Sequence, residues 1–320
     1  MKNKNGVMSV NAIIEKITEQ IQEGIYPGAS LALYRKGQWS EHYLGLADPE
    51  KGESVVADLV YDLASVSKVV GVATICAFLY AKGELPLDRS FKELYPRFAH
   101  EKTTIRELLT HTSGLDPFIP NRDQLDARQL KTALENLQLK EDKSFHYTDV
   151  NFLLLGFWLE DRFHQPLDRL FEELIFTPWK MTETRFGPVE KAVPTVRGLA
   201  SGSVHDPKAR VLGCHAGSAG LFSTVADLER FLEHYLKDDF ARDLSQNFAR
   251  EEGKTRALGW NLEGDWLDHT GYTGTFIMYN RKRQEAVIFL SNRTYEKDER
   301  AQWILDRNSL MDLIKQECEK

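Results

Sequence analysis

Tyr61-Asp62-Leu63-Ala64-Ser65-Val66-Ser67-Lys68-Val69-Val70 is the stretch on which the reading of this chain turns. Before it, apolar residues alternate as in extended chain. After it, Val69 to Leu85 is apolar and rich in alanine, and Lys82-Gly83 is a helix C-terminal signal. A helix beginning near Ser65 puts Ser65 and Lys68 on one face, one turn apart. Ser65 then sits at the positive end of the helix dipole, where a developing alkoxide is stabilised. A serine hydroxyl becomes a nucleophile when a nearby base takes its proton, and a partly buried lysine can be that base or tune it. Alone, Ser-x-x-Lys is also what a helix cap followed by a solvated lysine produces.

Outward from this stretch, residues 8 to 24 show helical periodicity through Val10, Ile13, Ile14, Ile17 and Ile21, stopped by Gly24 and Pro27. Ala29 to Tyr34 and Trp39 to Leu44 read as a hairpin across Lys36-Gly37. Helical patterns fill 66–82, 103–110, 127–137, 149–164 and 166–175, and 197–220 reads as irregular. Thr224 to Lys237 returns to helix. Leu258 to Leu262, Gly274 to Asn280 and Glu285 to Ser291 are strand candidates, and a last helix covers about 298–318. The expected fold is α+β: an antiparallel sheet of about five strands flanked by terminal helices, with a helical block inserted. A single domain is expected, its sheet lobe over about 1–64 and 203–320 and its helical lobe over about 65–202, with the site at their junction.

The chain has 320 residues and a net charge of −7, which argues against nucleic acid as the main partner. The one basic run, Arg281-Lys282-Arg283, reads as a hairpin turn. Three scattered cysteines, Cys76, Cys214 and Cys318, imply no disulfide framework. No secretory core follows the N-terminus, and no run of uncharged apolar residues is long enough to span a bilayer. A cytoplasmic location is therefore expected. His205, Asp206, Cys214 and His215 match no standard zinc spacing, and no metal or organic cofactor is expected. His111 is expected to make a structural hydrogen bond.

Two further segments carry chemistry. Phe145-His146-Tyr147-Thr148-Asp149-Val150-Asn151 precedes a helix, and Tyr147 as phenolate is a strong base if a cation such as Lys68 stabilises it. By itself the segment also reads as helix-entry packing with Thr148 or Asp149 as cap. His269-Thr270-Gly271-Tyr272-Thr273-Gly274 leads into an apolar strand, and an edge strand there could pair with an extended substrate.

Together, Ser65-x-x-Lys68, Tyr147-x-Asp149 about 80 residues later, and His269-Thr270-Gly271 about 120 further on resemble the penicillin-recognising serine hydrolases. The resemblance spans roughly residues 25 to 295 and includes Leu108-Leu109-Thr110-His111-Thr112-Ser113-Gly114-Leu115 and Ala216-Gly217-Ser218-Ala219-Gly220. It points to the branch with class C β-lactamases, D-alanyl-D-alanine carboxypeptidases, D-aminopeptidases and family VIII esterases. The resemblance implies a β-lactamase/transpeptidase-like fold and an acyl-enzyme on Ser65, with Lys68 its partner and Tyr147 the proton shuttle. It implies an oxyanion hole from the backbone N–H groups of Ser65 and Tyr272. His269 takes the place usually held by a lysine that attracts the substrate carboxylate, making the charge there depend on pH near neutrality. Asp149 stands where class C enzymes usually carry Asn, and either pairs with Lys68 or caps the helix. The expected function is hydrolysis of an ester, amide or β-lactam in a small molecule or short peptide. The rivals are a penicillin-binding carboxypeptidase and a non-catalytic scaffold of the same fold.

Overall fold

The computed structural model describes residues 10–250 and 254–319. Residues 8 and 9 of the expected first helix, and residues 251–253, lie outside them. Helix α1 (Val10–Gln22) buries Ile13 and Ile17, and Gly24 ends its turn at φ +70°. Strands β1 (Gly28–Arg35) and β2 (Gln38–Asp48) form the expected hairpin, Tyr34 opposite Trp39, with β3 (Glu53–Ser54) beyond. Strand β4 (Tyr61–Asp62) leads into a 3₁₀ turn at Ala64–Val66, a wide π-type turn at Val69–Ala73, and helix α2 (Thr74–Ala81).

The helical block follows as α3 (Phe91–Leu94), α4 (Ile105–Thr110), α5 (Ala127–Glu135), α6 (Val150–Phe163) and α7 (Leu167–Phe171). Two of these starts are reciprocal caps, Thr104 with Glu107 and Asp126 with Gln129, each satisfying amides that the helix leaves open. Next come β5 (Arg185–Phe186), α8 (Pro207–Leu212), β6 (Leu221–Ser223) and α9 (Val225–Lys237). The chain closes with β7 (Asn261–Glu263), β8 (Trp266–Thr270), β9 (Phe276–Asn280), β10 (Glu285–Ser291) and α10 (Arg300–Cys318).

The fold is the expected antiparallel sheet with flanking helices, but the sheet is wider than the sequence suggests. Among the described residues it has seven strands in the order β3-β2-β1-β10-β9-β8-β7, beside a small sheet β4-β6-β5. The two strands beyond the expected five are β3, only two residues long, and β8, too short and mixed to show alternation, while the strand expected over 258–262 begins only at Asn261. The stretch expected to be irregular contains α8, whose Asp206 accepts the Ala209 N–H at 2.8 Å with Pro207 in the first turn.

Both faces of the sheet are covered, so its central strands are apolar at nearly every position. Ala32, Tyr34, Ile277, Tyr279, Ile288 and Leu290 face the helical block, and α9 packs on this side. Leu31, Leu33, Phe276, Met278, Val287 and Phe289 face the layer where α1 meets α10 through Ile13, Ile17, Trp303 and Leu310. Ala64–Ala81 is long and apolar enough to cross a membrane by length and composition, but 78% of it is buried in the protein. It is the hydrophobic centre of the helical block.

Candidate active site

Ser65 lies where the two sheets and the helical block meet. Leu63 N–H donates to Leu221 O at 2.9 Å, tying the segment to β6. Asp62 accepts the Ala64 N–H at 2.8 Å and the His205 N–H at 2.7 Å, and burial pushes its carboxyl up to about 6. Ala64 is held at φ +45°, a region that costs an L-residue energy and persists only where its surroundings enforce it. From the far side, Thr273 Oγ1 donates to Asp62 O at 2.9 Å and Thr275 Oγ1 to Leu63 O at 3.0 Å. The β8–β9 turn is thereby bolted against the serine turn. A Cβ on Gly271 would lie 2.6 Å from Leu63 O and 2.1 Å from Thr275 Oγ1, so only glycine permits this approach.

Lys68 is fully buried and its ammonium donates to three oxygens: Ser65 Oγ at 2.9 Å, Asp149 Oδ1 at 2.7 Å and Ser218 O at 2.9 Å. Burial disfavours the charge, but the Asp149 carboxylate outweighs it and holds the ammonium above the usual lysine range. Asp149 feels the converse: burial opposes its charge, yet Lys68 and then Lys208, 3.2 Å from Oδ2, keep it well below the usual carboxylate range. Asp149 makes no capping hydrogen bond to α6, so of its two expected roles the structure has the ion pair.

Tyr147 stands over this triad, 37% exposed, with the Lys68 ammonium 5.3 Å from its ring centroid. His111 supports the ring from below at 4.6 Å and stacks on Phe152. The Thr148 N–H donates to His111 Nδ1 at 3.4 Å and the Asn151 amide lies 3.1 Å from the same nitrogen, so Nδ1 is the acceptor. Burial, then Arg256 and Lys68, drive the pKa of His111 far down. It is a neutral strut, the structural role expected of it. Ser113 Oγ donates to Asn151 Oδ1 at 2.7 Å, so with His111 the Asn151 side chain has its polar partners in the helical block.

His269, Thr270, Gly271 and Tyr272 line the same cleft as Ser65 and Tyr147, a space of roughly 220 Å³. The register of β7 ends at Asn261 opposite Asp268, so among the described residues the outer edge of 269–270 has no partner strand. The backbone N–H of Tyr272 has no acceptor among the described residues, and that of Ser65 lies in the first turn of its helix, where amides have no intrahelical partner. Here the charge expected at His269 needs correction. The residue is 2% exposed, and burial, then Lys68 and Arg256, push its pKa far below 6.5. Its Nδ1 is 3.1 Å from Thr270 O, so that nitrogen holds the proton and Nε2 the lone pair. A neutral His269 cannot attract a carboxylate by charge.

The positive charge comes from residues that motif reading missed. Arg256 is 1% exposed, donates to Gly259 O at 3.2 Å and to Asn261, and lies 5.4 Å from the Phe145 ring centroid. Lys254, Arg293, Arg300 and Arg307 line the cleft itself. Lys208 was equally unforeseen, though it follows Asp206-Pro207, a legible helix start. Among the aromatics of the C-terminal strands and their loops, Tyr272 lines the cleft, while Tyr279 and Trp260 are core. His205 stacks on Tyr272 at 5.4 Å, and among the described residues no group of three or more His, Cys, Asp or Glu could hold a metal ion.

A family model described as beta-lactamase matches residues 13–310. A protein of Escherichia coli (strain K12) named "Putative D-alanyl-D-alanine carboxypeptidase" is 27% identical, the match covering 90% of this chain and 83% of that protein. A solved beta-lactamase/D-alanine carboxypeptidase from Pseudomonas syringae superposes with a TM-score of 0.72 at 20% identity, over 93% of this chain and 98% of the other. EstCE1, a hydrolase with promiscuous acyltransferase activity, superposes at 0.73 and 19% identity, over 95% and 97%. At such identities the two structures speak for the fold alone.

Proposed function

The chain belongs to the beta-lactamase family of serine hydrolases, and from that premise we propose that Ser65 is its nucleophile in a two-step acyl transfer. What carries the proposal is the Lys68 ammonium, bonded at once to Ser65 Oγ and to Asp149. An ammonium locked in this way has no lone pair to accept a proton, so the proton acceptor is the Tyr147 phenol oxygen, whose ring lies 5.3 Å from the Lys68 ammonium.

In acylation the Ser65 proton passes to the Tyr147 oxygen as Oγ bonds the substrate carbonyl carbon. The resulting oxyanion is received by the Ser65 and Tyr272 backbone N–H groups, each such donor being worth roughly 3 kcal/mol in related chemistry. Tyr147 returns the proton to the leaving atom as its bond to carbon breaks, leaving an ester on Ser65. Water then enters, gives its proton to Tyr147 and bonds the acyl carbon. The Ser65 ester bond breaks and Oγ recovers the proton. Thr270, Gly271 and the open edge of β8 align the acyl chain, with His269 a neutral acceptor beside them.

Neutral His269 favours hydrolysis of an ester or amide over efficient β-lactam turnover. The Escherichia coli relative's name supports a D-alanyl-D-alanine carboxypeptidase as the second reading. Ser65→Ala tests the assignment: turnover of a nitrophenyl ester should vanish with circular dichroism unchanged, and retained turnover overturns it. A fluorophosphonate should add its mass to Ser65 in the parent protein.

A further inference from the structure

Taken alone, Lys68 and Asp149 are a neutral pair. Ammonium and carboxylate stand 2.7 Å apart, so Asp149 cancels the positive charge that lies against Ser65 Oγ. Lys208 alters that balance. Its Nζ lies 3.2 Å from Asp149 Oδ2, while Lys68 takes Oδ1. Its other acidic neighbour, Asp206, is farther away at 3.8 Å. Asp206 is also the cap of α8: its Oδ1 accepts the Ala209 N–H, and the open amides of that helix end meet its charge. Two ammonium groups therefore flank one carboxylate beside the nucleophile.

The place of Lys208 in the chain does not otherwise suit a lysine. It is the second residue of α8, where open helix amides favour an acid over a base. Its side chain is only 15% exposed, and lysines are seldom buried unless paired. The contact with Asp149 accounts for both. Lys208 is not among the residues that line the cleft of Ser65 and Tyr147, so it does not act on the substrate directly. Around Lys68 the remaining ionisable groups are Tyr147, Arg256, and the rings of His111 and His269, both kept neutral by burial.

Resting on the acyl-transfer reading above, we propose that Lys208 is a positioning residue of the reaction: it holds Asp149 by Oδ2 and offsets its charge, so that Ser65 attacks beside a cationic rather than a neutral centre. As Oγ bonds the carbonyl carbon, negative charge builds on the carbonyl oxygen. A net cation alongside stabilises that charge more than it stabilises a neutral ester, so the effect falls on kcat rather than KM.

The test is steady-state hydrolysis of 4-nitrophenyl acetate at pH 7 by the 320-residue protein. Compared with the parent are Lys208→Met, Lys208→Arg, Asp149→Asn and the double variant Lys208→Met with Asp149→Asn. Lys208→Met should lower kcat about tenfold, equivalent to about 1.4 kcal/mol, with KM within about twofold. Lys208→Arg keeps the charge and should stay within about threefold of the parent. Adding Asp149→Asn to Lys208→Met should recover most of the loss, because it removes the carboxylate whose charge Lys208 had offset. A lysine that merely propped Asp149 or α8 would give the opposite, the second change adding to the damage. Circular dichroism checks each fold. If Lys208→Met does not fold, the double variant decides: kcat within about threefold of the parent supports the role, and a tenfold deficit refutes it. Parent-like kcat in Lys208→Met, or a double variant no faster than Lys208→Met, overturns the proposal and leaves the hydrolase assignment intact. A parent protein inert toward both the ester and a fluorophosphonate overturns the acyl-transfer reading itself, and the role of Lys208 falls with it.

Discussion

Replacing Asp149 by Asn restores the neutral amide common in class C enzymes and removes the charge that holds Lys68 as ammonium. At 2.7 Å the gross attraction is about 6 kcal/mol for an effective dielectric near 20. The net loss is smaller, since breaking a buried pair typically costs roughly 3–5 kcal/mol. The Asp149 side chain keeps 25% of its surface exposed, which favours the lower figure, ~3 kcal/mol. That corresponds to a fall of about two units in the Lys68 pKa. The sign runs with pH as follows. Asp149 is depressed in the fold, so its stabilisation is complete above about pH 4 and fades as pH falls below that. Lys68 is raised, so its share is complete below about pH 10 and is lost above. Both describe one interaction and count once. Denaturant titration should find Asp149→Asn less stable by ~3 kcal/mol at pH 7, with the gap closing below pH 4. The pH–rate profile for a nitrophenyl ester should gain an alkaline limb about two units lower than any in the parent, as Lys68 loses its proton and Tyr147 its cation. Parent-like stability at pH 7 with an unshifted profile would show that the pair does not set the charge of Lys68.

Gly271→Ala should lower kcat by about a hundredfold or more, because the turn carrying the Tyr272 amide must retreat from Leu63, removing one oxyanion donor; stopped-flow acylation rates measure this. His269→Lys should destabilise the protein by roughly 3 kcal/mol or more, since it buries a third cation beside Lys68 and Arg256, while His269→Gln should be far milder; thermal melts of both separate these. Glu229 is pushed up to about 8 by burial and then by Glu41, so its folded state holds an extra proton and loses stability as pH rises from about 4.5 to 8. Glu229→Gln should therefore gain more stability over the parent at pH 9 than at pH 5.

The parts of this molecule that were legible are those where one local rule suffices. Apolar periodicity placed α1, α6, α9 and the central strands within a residue or two, and three short motifs named the cleft. Strand β8 escaped because a five-residue strand between a tight turn and a glycine loop leaves no period to read. The cations escaped for another reason. Arg256 comes from a loop and Arg300 and Arg307 from a helix whose polar face looks like any solvated face, and only folding brings them against Phe145, Tyr272 and Thr270. His269 was misread because a residue's charge follows its burial, which spacing does not disclose. Lys208 could have been suspected from its helix start, but nothing local tells it to reach Asp149.

Thr273 grips the main chain of Asp62 at a sequence separation of 211, and Thr275 that of Leu63 at 212. A ribosome must therefore complete most of the polypeptide before the left-handed kink at Ala64 has anything to lean on. Nascent protein, and any fragment lacking its last fifth, would carry a serine and lysine in sequence yet offer no armed hydroxyl to the cell. Activity is in this way withheld until synthesis is nearly done, by the connectivity of the fold itself.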